Sequence, residues 1–305
     1  MKTEKAEPAL VDLTHVAEIE LFILKRMKDL TLGPHASKVK GSGFDFVGLR
    51  DWEPGDRLSS IDWAQSSLTN FSPVITREFE QMSTATVIAV ADASLSTRCG
   101  ASGVTIGSIV ARAVATIGLS SALLQDSFGL LAFDDKGRQR EWARPTVGKP
   151  HVLYCLDLYQ RQMSKGAGEE GPEVTDAIRH LRQASLVPVI SDFLFAGASD
   201  FIKGLSELSV AHDVFLVMID GRFAFELPSV AAGWIDAIDI ETRRTRVVSR
   251  REFQRMGARV AEWQDEIRRV ARDVDLEVVE VGVDPWQMET ALLQFMGDRR
   301  LQKVR

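Results

Sequence analysis

Cysteine is nearly absent from this sequence of 305 residues, where only Cys99 and Cys155 occur and neither belongs to a Cys-x-x-Cys pair. That argues against a disulfide framework and a structural zinc site, and it predicts a reducing, cytoplasmic compartment. Positive charge is in deficit as well. Thirty-seven Lys and Arg against forty-three Asp and Glu leave a net charge of −6, so no overall basic field draws nucleic acid or anionic lipid. The first eight residues hold no apolar stretch of the kind a secretory signal needs. The longest apolar region, 109–124, contains Arg112 and several Ser and Thr and falls short of the ~20 residues that span a bilayer, so no direct membrane insertion is expected. Catalytic signatures are missing too: there is no Gly-x-x-x-x-Gly-Lys-Ser/Thr loop, no His-Glu-x-x-His and no Gly-x-Ser-x-Gly. The five histidines, His15, His35, His151, His180 and His212, are dispersed and lack metal-ligand spacing. Internal repeats and low-complexity tracts are not found.

What is present is hydrophobic periodicity. Ile19, Phe22, Ile23, Met27 and Leu30 predict a helix over 16–30. Residues 31–70, rich in Gly, Pro, Asp and Ser with Trp52 and Trp63 interspersed, read as irregular, and a stretch of that length is expected to be functional or docked. From residue 86 onward the pattern alternates between strand and helix. Buried strands are predicted at 86–91, 186–191 (weakened by Pro188), 214–219 and 276–281, and a hairpin at 127–143 turns through 134–137. Helices are predicted at 105–125, 150–163, 173–183, 200–208, 251–274 and 285–298, with an inserted hairpin of strands 234–240 and 246–248 turning at 242–244. The expected domains are an N-terminal helix and extension, 1–80, docked on a core of 81–305 that carries the insertion at about 223–249.

Three buried-strand candidates end in an acid: Asp92, Asp192 and Asp220. In open parallel sheets, ligands bind outside the carboxyl ends of the strands where the strand order reverses. If the strands 86–91 and 186–191 are neighbours at that reversal, Asp92 and Asp192 share one crevice. Asp92 also opens the loop Asp92-Ala93-Ser94-Leu95-Ser96, whose carboxylate and two hydroxyls are hard oxygen donors of the kind Mg²⁺ or Ca²⁺ takes. The plainer reading is that Ser94 and Ser96 form a local turn or cap the helix that follows.

Several ordered motifs carry a resemblance. Gly41-Ser42-Gly43-Phe44-Asp45-Phe46, Leu49-Arg50-Asp51-Trp52, Pro54-Gly55-Asp56, Ile61-Asp62-Trp63 and Arg77-Glu78-Phe79 are followed by Asp92-x-Ser94-x-Ser96 and Ile190-Ser191-Asp192-Phe193. Over roughly residues 35–220 the chain resembles the bacterial "domain of unknown function fifty-eight" family. That family is similar to von Willebrand factor type A domains, whose metal-ion-dependent adhesion site uses the Asp-x-Ser-x-Ser loop, a Thr and a distal Asp. The resemblance implies an α/β fold, von Willebrand factor A-like and doubly wound, with a mostly parallel sheet and helices on both faces. It also implies a site of Asp92, Ser94, Ser96 and Asp192 for Mg²⁺ or Ca²⁺, and association with a MoxR-type AAA+ ATPase. One branch of the family, the MxaS-like proteins of methanol-oxidation clusters, points to methanol dehydrogenase as a client. The chain departs from the pattern at the Thr ligand, which aligns with Pro172 in Gly171-Pro172-Glu173-Val174-Thr175. Pro172 offers no side-chain donor; Thr175 substitutes if the loop shifts, and Glu173 would bring a charged oxygen. Arginines common around the Ile-Asp-Trp motif are replaced by Ser59, Ser60 and Leu68.

Two further features have both a structural and a functional reading. Trp52 and Trp63 are large enough to anchor the irregular segment by burial, whereas Arg50, Asp56 and Asp62 could form a polar cluster for a partner. In the helix 251–274, Phe253, Met256, Val260, Trp263, Ile267, Val270 and Val274 form a seam of period 3.5, read as the face docked on a sheet, with a partner helix as the alternative. Arg255, Arg259, Arg268, Arg269 and Arg272, interleaved with acids, read as a solvated face, and Arg243, Arg244 and Arg246 extend this basic region.

The expected function is therefore a non-enzymatic interaction module. It would serve a MoxR-type AAA+ ATPase in assembly, metal insertion or activation of a client protein complex, through the metal site of Asp92, Ser94, Ser96, Asp192 and Thr175. A metal-independent adaptor using the same crevice is the second reading, and a metal-dependent phosphoesterase using the same carboxylates is the third.

Overall fold

The computed structural model describes residues 10–31, 40–41, 45–54, 56, 58–80, 85–101, 103–164, 171–225, 234–238 and 245–303. In chain order these form α1 (Leu13–Thr31), β1 (Lys40–Gly41), β2 (Asp45–Asp51), α2 (Trp63–Leu68), β3 (Ile75–Glu80), β4 (Thr86–Asp92), β5 (Gly100–Ala101), β6 (Val104–Thr105), α3 (Ile106–Leu123) and β7 (Ser127–Phe133). There follow β8 (Gln139–Val147), α4 (Lys149–Ser164), α5 (Val174–Arg179), β9 (Leu186–Ser191), α6 (Ala198–Leu208) and β10 (Asp213–Ile219). The chain closes with β11 (Trp234–Ile238), β12 (Thr245–Ser249), α7 (Arg250–Asp273), β13 (Val278–Val281) and α8 (Pro285–Lys303).

The architecture is mixed α/β around a six-stranded sheet of order β13-β10-β9-β4-β7-β8, parallel except for the antiparallel edge strand β8. The apolar runs that predicted doubly covered strands are buried throughout: six of the seven residues of β4, β7 and β10 are inaccessible to solvent, as a sheet with helices on both faces requires. One face is covered by α5, α6 and α7 through Val174, Ile178, Ile202, Leu205, Ile267 and Ala271. On the other lies α3, whose Arg112 binds Glu289 of α8, and Phe295 of α8 packs on Phe215 of β10. Thr105 starts α3 by accepting from Ser108 N–H while Ser108 Oγ accepts from Thr105 N–H, a reciprocal capping box.

Strand β9 is central although it contains Pro188, and the reason is visible in its pairing. Pro188 lies opposite Phe215 in the ladder with β10. On the β4 side the paired positions are Val87 with Leu186, Val90 with Val189 and Ala91 with Ile190, so the ladder is open where proline has no N–H to donate. The cost falls on one side only.

Three expectations are corrected. Residues 31–70 are not irregular throughout: β2 pairs antiparallel with β3 from Asp45↔Glu80 to Asp51↔Ile75, and β1 adds a third strand. The predicted helix 173–183 is only α5, ending at Arg179. In α7 the buried side is Gln264, Ile267 and Ala271 rather than the full apolar seam, and Met256 and Trp263 remain exposed. The inserted hairpin is present as β11 paired with β12, Trp234↔Ser249 to Ile238↔Thr245, in a sheet of its own; its turn at 242–244 lies outside the described residues. So do positions 42–44 and the loop 165–170.

The chain divides into two compact units: Met1–Arg26 with Ala85–Met296, and Met27–Thr84 with Gly297–Arg305. In the first, Val16, Ile19 and Ile23 of α1 are buried and Glu20 binds Lys149 of α4 at 2.5 Å. In the second, Arg50 forks onto both oxygens of Asp56 at 2.7 Å, and Asp62 caps α2 while accepting from Arg77 Nε at 2.8 Å. Arg50, Asp56 and Asp62 are thus engaged in two local ion pairs. Trp63 is 61% exposed, so burial of its ring does not anchor this segment. One described helix, α3, is long and apolar enough to cross a membrane by length and composition; 83% of it is buried inside the protein.

Candidate functional site

Strand order decides which acids meet. From β4 the chain crosses through α3 to β7 on one side, and β9 lies against β4 on the other, so β4 and β9 flank the point where the order reverses. Asp92 ends β4 and Asp192 follows β9, and both are fully buried. The carboxyl groups are joined through the loop between β4 and the next helical turn. Ser96 Oγ donates to Asp192 Oδ1 at 3.0 Å. The hydroxyls of Ser94 and Ser96 lie 2.9 Å apart, within hydrogen-bond distance of each other. Asp92 Oδ1 accepts from Ser94 N–H at 2.7 Å. The four residues of the sequence reading are therefore one connected cluster.

Residues with no role at this site in the sequence reading complete it. Ser191 Oγ donates to Asp92 Oδ2 at 2.5 Å and accepts from Phe193 N–H at 2.7 Å. Tyr159 of α4 donates its hydroxyl to Asp92 O at 2.5 Å. Behind Asp192, Gln264 Nε2 of α7 donates to Asp192 O at 3.2 Å and to Ile219 O at 2.7 Å, and Trp263 Nε1 donates to Phe193 O at 2.8 Å. The loop they hold is tight: Phe193 has φ 55°, a left-handed conformation that bulky residues adopt only under constraint. Ser191 was legible, since it precedes Asp192 in a quoted motif. Tyr159 and Gln264 carry no local signal, because their roles come from helices that return to the sheet from far along the chain.

Electrostatically the cluster is unfavourable as it stands. Burial, only partly offset by the hydrogen bonds from Ser191 and Ser94, raises Asp92 to about 6. Burial and then the charge of Asp92 raise Asp192 to about 7. Asp192 Oδ2 is buried without a hydrogen-bond partner among the described residues. Asp92, Asp192 and Ser94 are buried, and the half-buried Ser96 is the least covered member of the cluster. Nearby Cys99 is a free thiol pushed up to about 11 by burial and by Asp192, so it is no thiolate nucleophile.

Thr175, the fifth predicted ligand, lies on α5, makes no hydrogen bond to the four, and sets its methyl group against Gly204 of α6. Pro172 is used structurally, its carbonyl accepting from Gln139 N–H at 2.8 Å. The third strand-end acid, Asp220, is elsewhere engaged. Burial alone would raise it, but the Arg222 side chain, at 2.8 and 2.6 Å, holds it below the ordinary value. Among the described residues no group of three or more His, Cys, Asp or Glu is placed to hold a metal, so any cation here depends on two carboxylates plus hydroxyls.

The chain belongs to the family described as Protein of unknown function DUF58, whose model matches residues 48–281. It is similar to uncharacterized proteins of Mycobacterium tuberculosis and Mycobacterium bovis, each 24% identical over 217 residues, covering 70% of this chain and 66% of theirs. The match thus spans slightly less than two thirds of those relatives. Among solved structures it is similar to a conserved hypothetical protein BatB of Bacteroides thetaiotaomicron, at 14% identity and TM-score 0.39, covering 72% of this chain and 99% of that one. A second is an aerotolerance-related membrane protein of Bacteroides fragilis, at 10% identity and TM-score 0.40, covering 70% and 99%. Likenesses this distant carry no argument about this chain.

Proposed function

We propose that this protein is a non-enzymatic interaction module with a von Willebrand factor A-like core, whose Asp92–Asp192 cluster is a cation-dependent docking site. The observation that carries the reading is Asp192 Oδ2, a buried carboxylate oxygen with no partner among the described residues, at the end of a chain of hydroxyls leading to a second buried carboxylate. Burial drives both acids up in pKa, the charge of Asp92 raises Asp192 further, and hard oxygen donors of this kind fit Mg²⁺ or Ca²⁺. Asp92, Ser94, Ser96 and Asp192 would hold the cation; when bound, it supplies a coordination position open to a carboxylate of the partner. Ser191 and the Ser94 N–H orient Asp92, while Gln264 and Trp263 fix the 192–194 backbone. The strand order, with its antiparallel edge and its acid at the end of the first core strand, supports the finer fold assignment.

The partner we propose is a MoxR-type AAA+ ATPase acting on a client complex, with methanol dehydrogenase as one client; the family motifs support this. A cytoplasmic location goes with it. A metal-independent adaptor is favoured by a separate observation, that Ser191, Ser94 and Ser96 already tie the two acids together without a cation. The phosphoesterase reading has less support, because both acids are enclosed and neither is placed as a free base.

Calorimetric titration of Mg²⁺ and of Ca²⁺ into the cation-free chain tests the site. Binding is expected for the wild type and lost in Asp92→Ala and in Asp192→Asn; equal binding by all three overturns it. Capture of the ATPase that survives both EDTA and Asp92→Ala would favour the metal-independent adaptor.

A further inference from the structure

A second site lies on the α5 face of the sheet, in the same compact unit. The helix covering this corner, α5, has six residues, and β8 is the outermost strand, so the sheet between them is left open. The result is a groove with a cavity volume of about 910 Å³, running from the beginnings of β4 and β7 across β8 to α5. Trp142, Arg144, His180, Leu181, Arg182 and Ser185 are among its walls.

Its charge is what singles it out. The chain as a whole carries −6, yet Arg144 and Arg182 both line this groove, and neither guanidinium makes a hydrogen bond or ion pair with another described residue. The one carboxylate in the lining, Asp176, faces Arg179 at 3.4 Å. Other arginines of this unit are ion-paired, Arg112 with Glu289, Arg222 with Asp220 and Arg268 with Glu280, and none of these lines the groove. Trp142, partly buried against the core, lines the same groove and contributes apolar ring surface to it. The walls are open: Arg144, His180 and Arg182 are all exposed. Enclosure is what gives small-molecule pockets their affinity, and it is missing here, whereas an extended peptide keeps one side in water.

We infer that this groove docks an extended acidic segment of a partner protein, with Arg144 and Arg182 receiving its carboxylates and Trp142 an apolar side chain between them. Guanidinium groups suit this role because their planar fork matches a carboxylate with two hydrogen bonds. The site is independent of the Asp92–Asp192 cluster.

Random short peptides displayed on phage and selected on the full chain test the inference. Selected peptides are expected to be rich in Asp and Glu flanking a Leu or an aromatic residue. A synthetic peptide of such a sequence should bind the wild type and lose at least about tenfold in affinity on Arg144→Glu or Arg182→Glu. Arg144→Lys should keep part of that affinity, and Asp92→Ala all of it. Both arginines are exposed, so charge reversal leaves the fold intact, and an unchanged melting temperature verifies this. Selection without acidic bias overturns the proposal. So does equal binding of a peptide with Gln and Asn in place of Glu and Asp, or equal binding by the doubly reversed variant. Displacement of the peptide by pyrophosphate or duplex DNA as effective as by unlabelled peptide would also overturn it, identifying a general anion site.

Discussion

Asp192 concentrates the tension of this molecule in one side chain. Its Oδ1 accepts from Ser96 Oγ and Leu194 N–H, while Oδ2 has no partner among the described residues. Because burial raises Asp92 to about 6 and Asp192 to about 7, the folded state binds protons more tightly than the unfolded chain does. That contribution to stability is complete below the ordinary carboxylate pKa and is lost as pH rises through the folded values. The cation-free protein is therefore expected to melt at falling temperature between about pH 4 and pH 8 through this pair, with a shallower dependence in Asp192→Asn. Asp56, held at about 2 first by its Arg50 hydrogen bonds, acts in the opposite sense and is common to both proteins, so the difference between them isolates the pair. Scanning calorimetry across this range checks it; identical slopes would show that the two acids are not coupled to folding. Mg²⁺ added at the alkaline end should restore the wild type and leave Asp192→Asn unmoved. The acids and both serines were legible in the sequence, because an Asp-x-Ser-x-Ser loop and a strand-end acid are local patterns. The orphaned oxygen was not, since it depends on everything that fails to approach it.

At the scale of elements, α7 holds the site in place, and its key side chain breaks the helix's apolar pattern. Gln264 is fully buried and one amide nitrogen serves the carbonyls at the ends of two strands, Asp192 and Ile219. Replacing it by Leu takes the amide donor from both carbonyls, at about 1–3 kcal/mol for a buried acceptor left unpaired. The change also removes Gln264 Oε1, itself buried without a partner among the described residues, so urea unfolding should show a net loss of about 1 kcal/mol or more. A change below about 0.5 kcal/mol would mean that α7 is not what fixes the loop. The heptad reading of 251–274 identified the helix and its docked side but placed Trp263 on the buried seam. A residue with an indole N–H is well used at the seam's border, where Trp263 donates to Phe193 O and keeps its ring half in water. Residues 31–70 were misread for a comparable reason: β2 shifts register between Phe46 and Gly48 and leaves the apolar Leu49 exposed, so its window shows no clean alternation.

For the whole molecule, the charge balance makes its own prediction. With −6 overall, the chain should show no retention of duplex DNA in filter binding at ~150 mM salt, where phosphate contacts dominate affinity. Retention that falls steeply with salt would contradict this. The sequence by itself determined the mixed α/β class, the buried strands, the helices between them and the acids that end three of those strands. These follow from local spacing of apolar residues, which needs no knowledge of distant partners. Tertiary structure alone decided that β9 lies beside β4 despite Pro188, so that Asp92 and Asp192 meet while Asp220 goes to Arg222. It likewise decided that α5 stops after six residues and leaves a groove that Arg144 and Arg182 line. Such outcomes rest on pairings between segments a hundred residues apart, whose energies are settled by packing and hydrogen bonding across the sheet rather than by any stretch of chain.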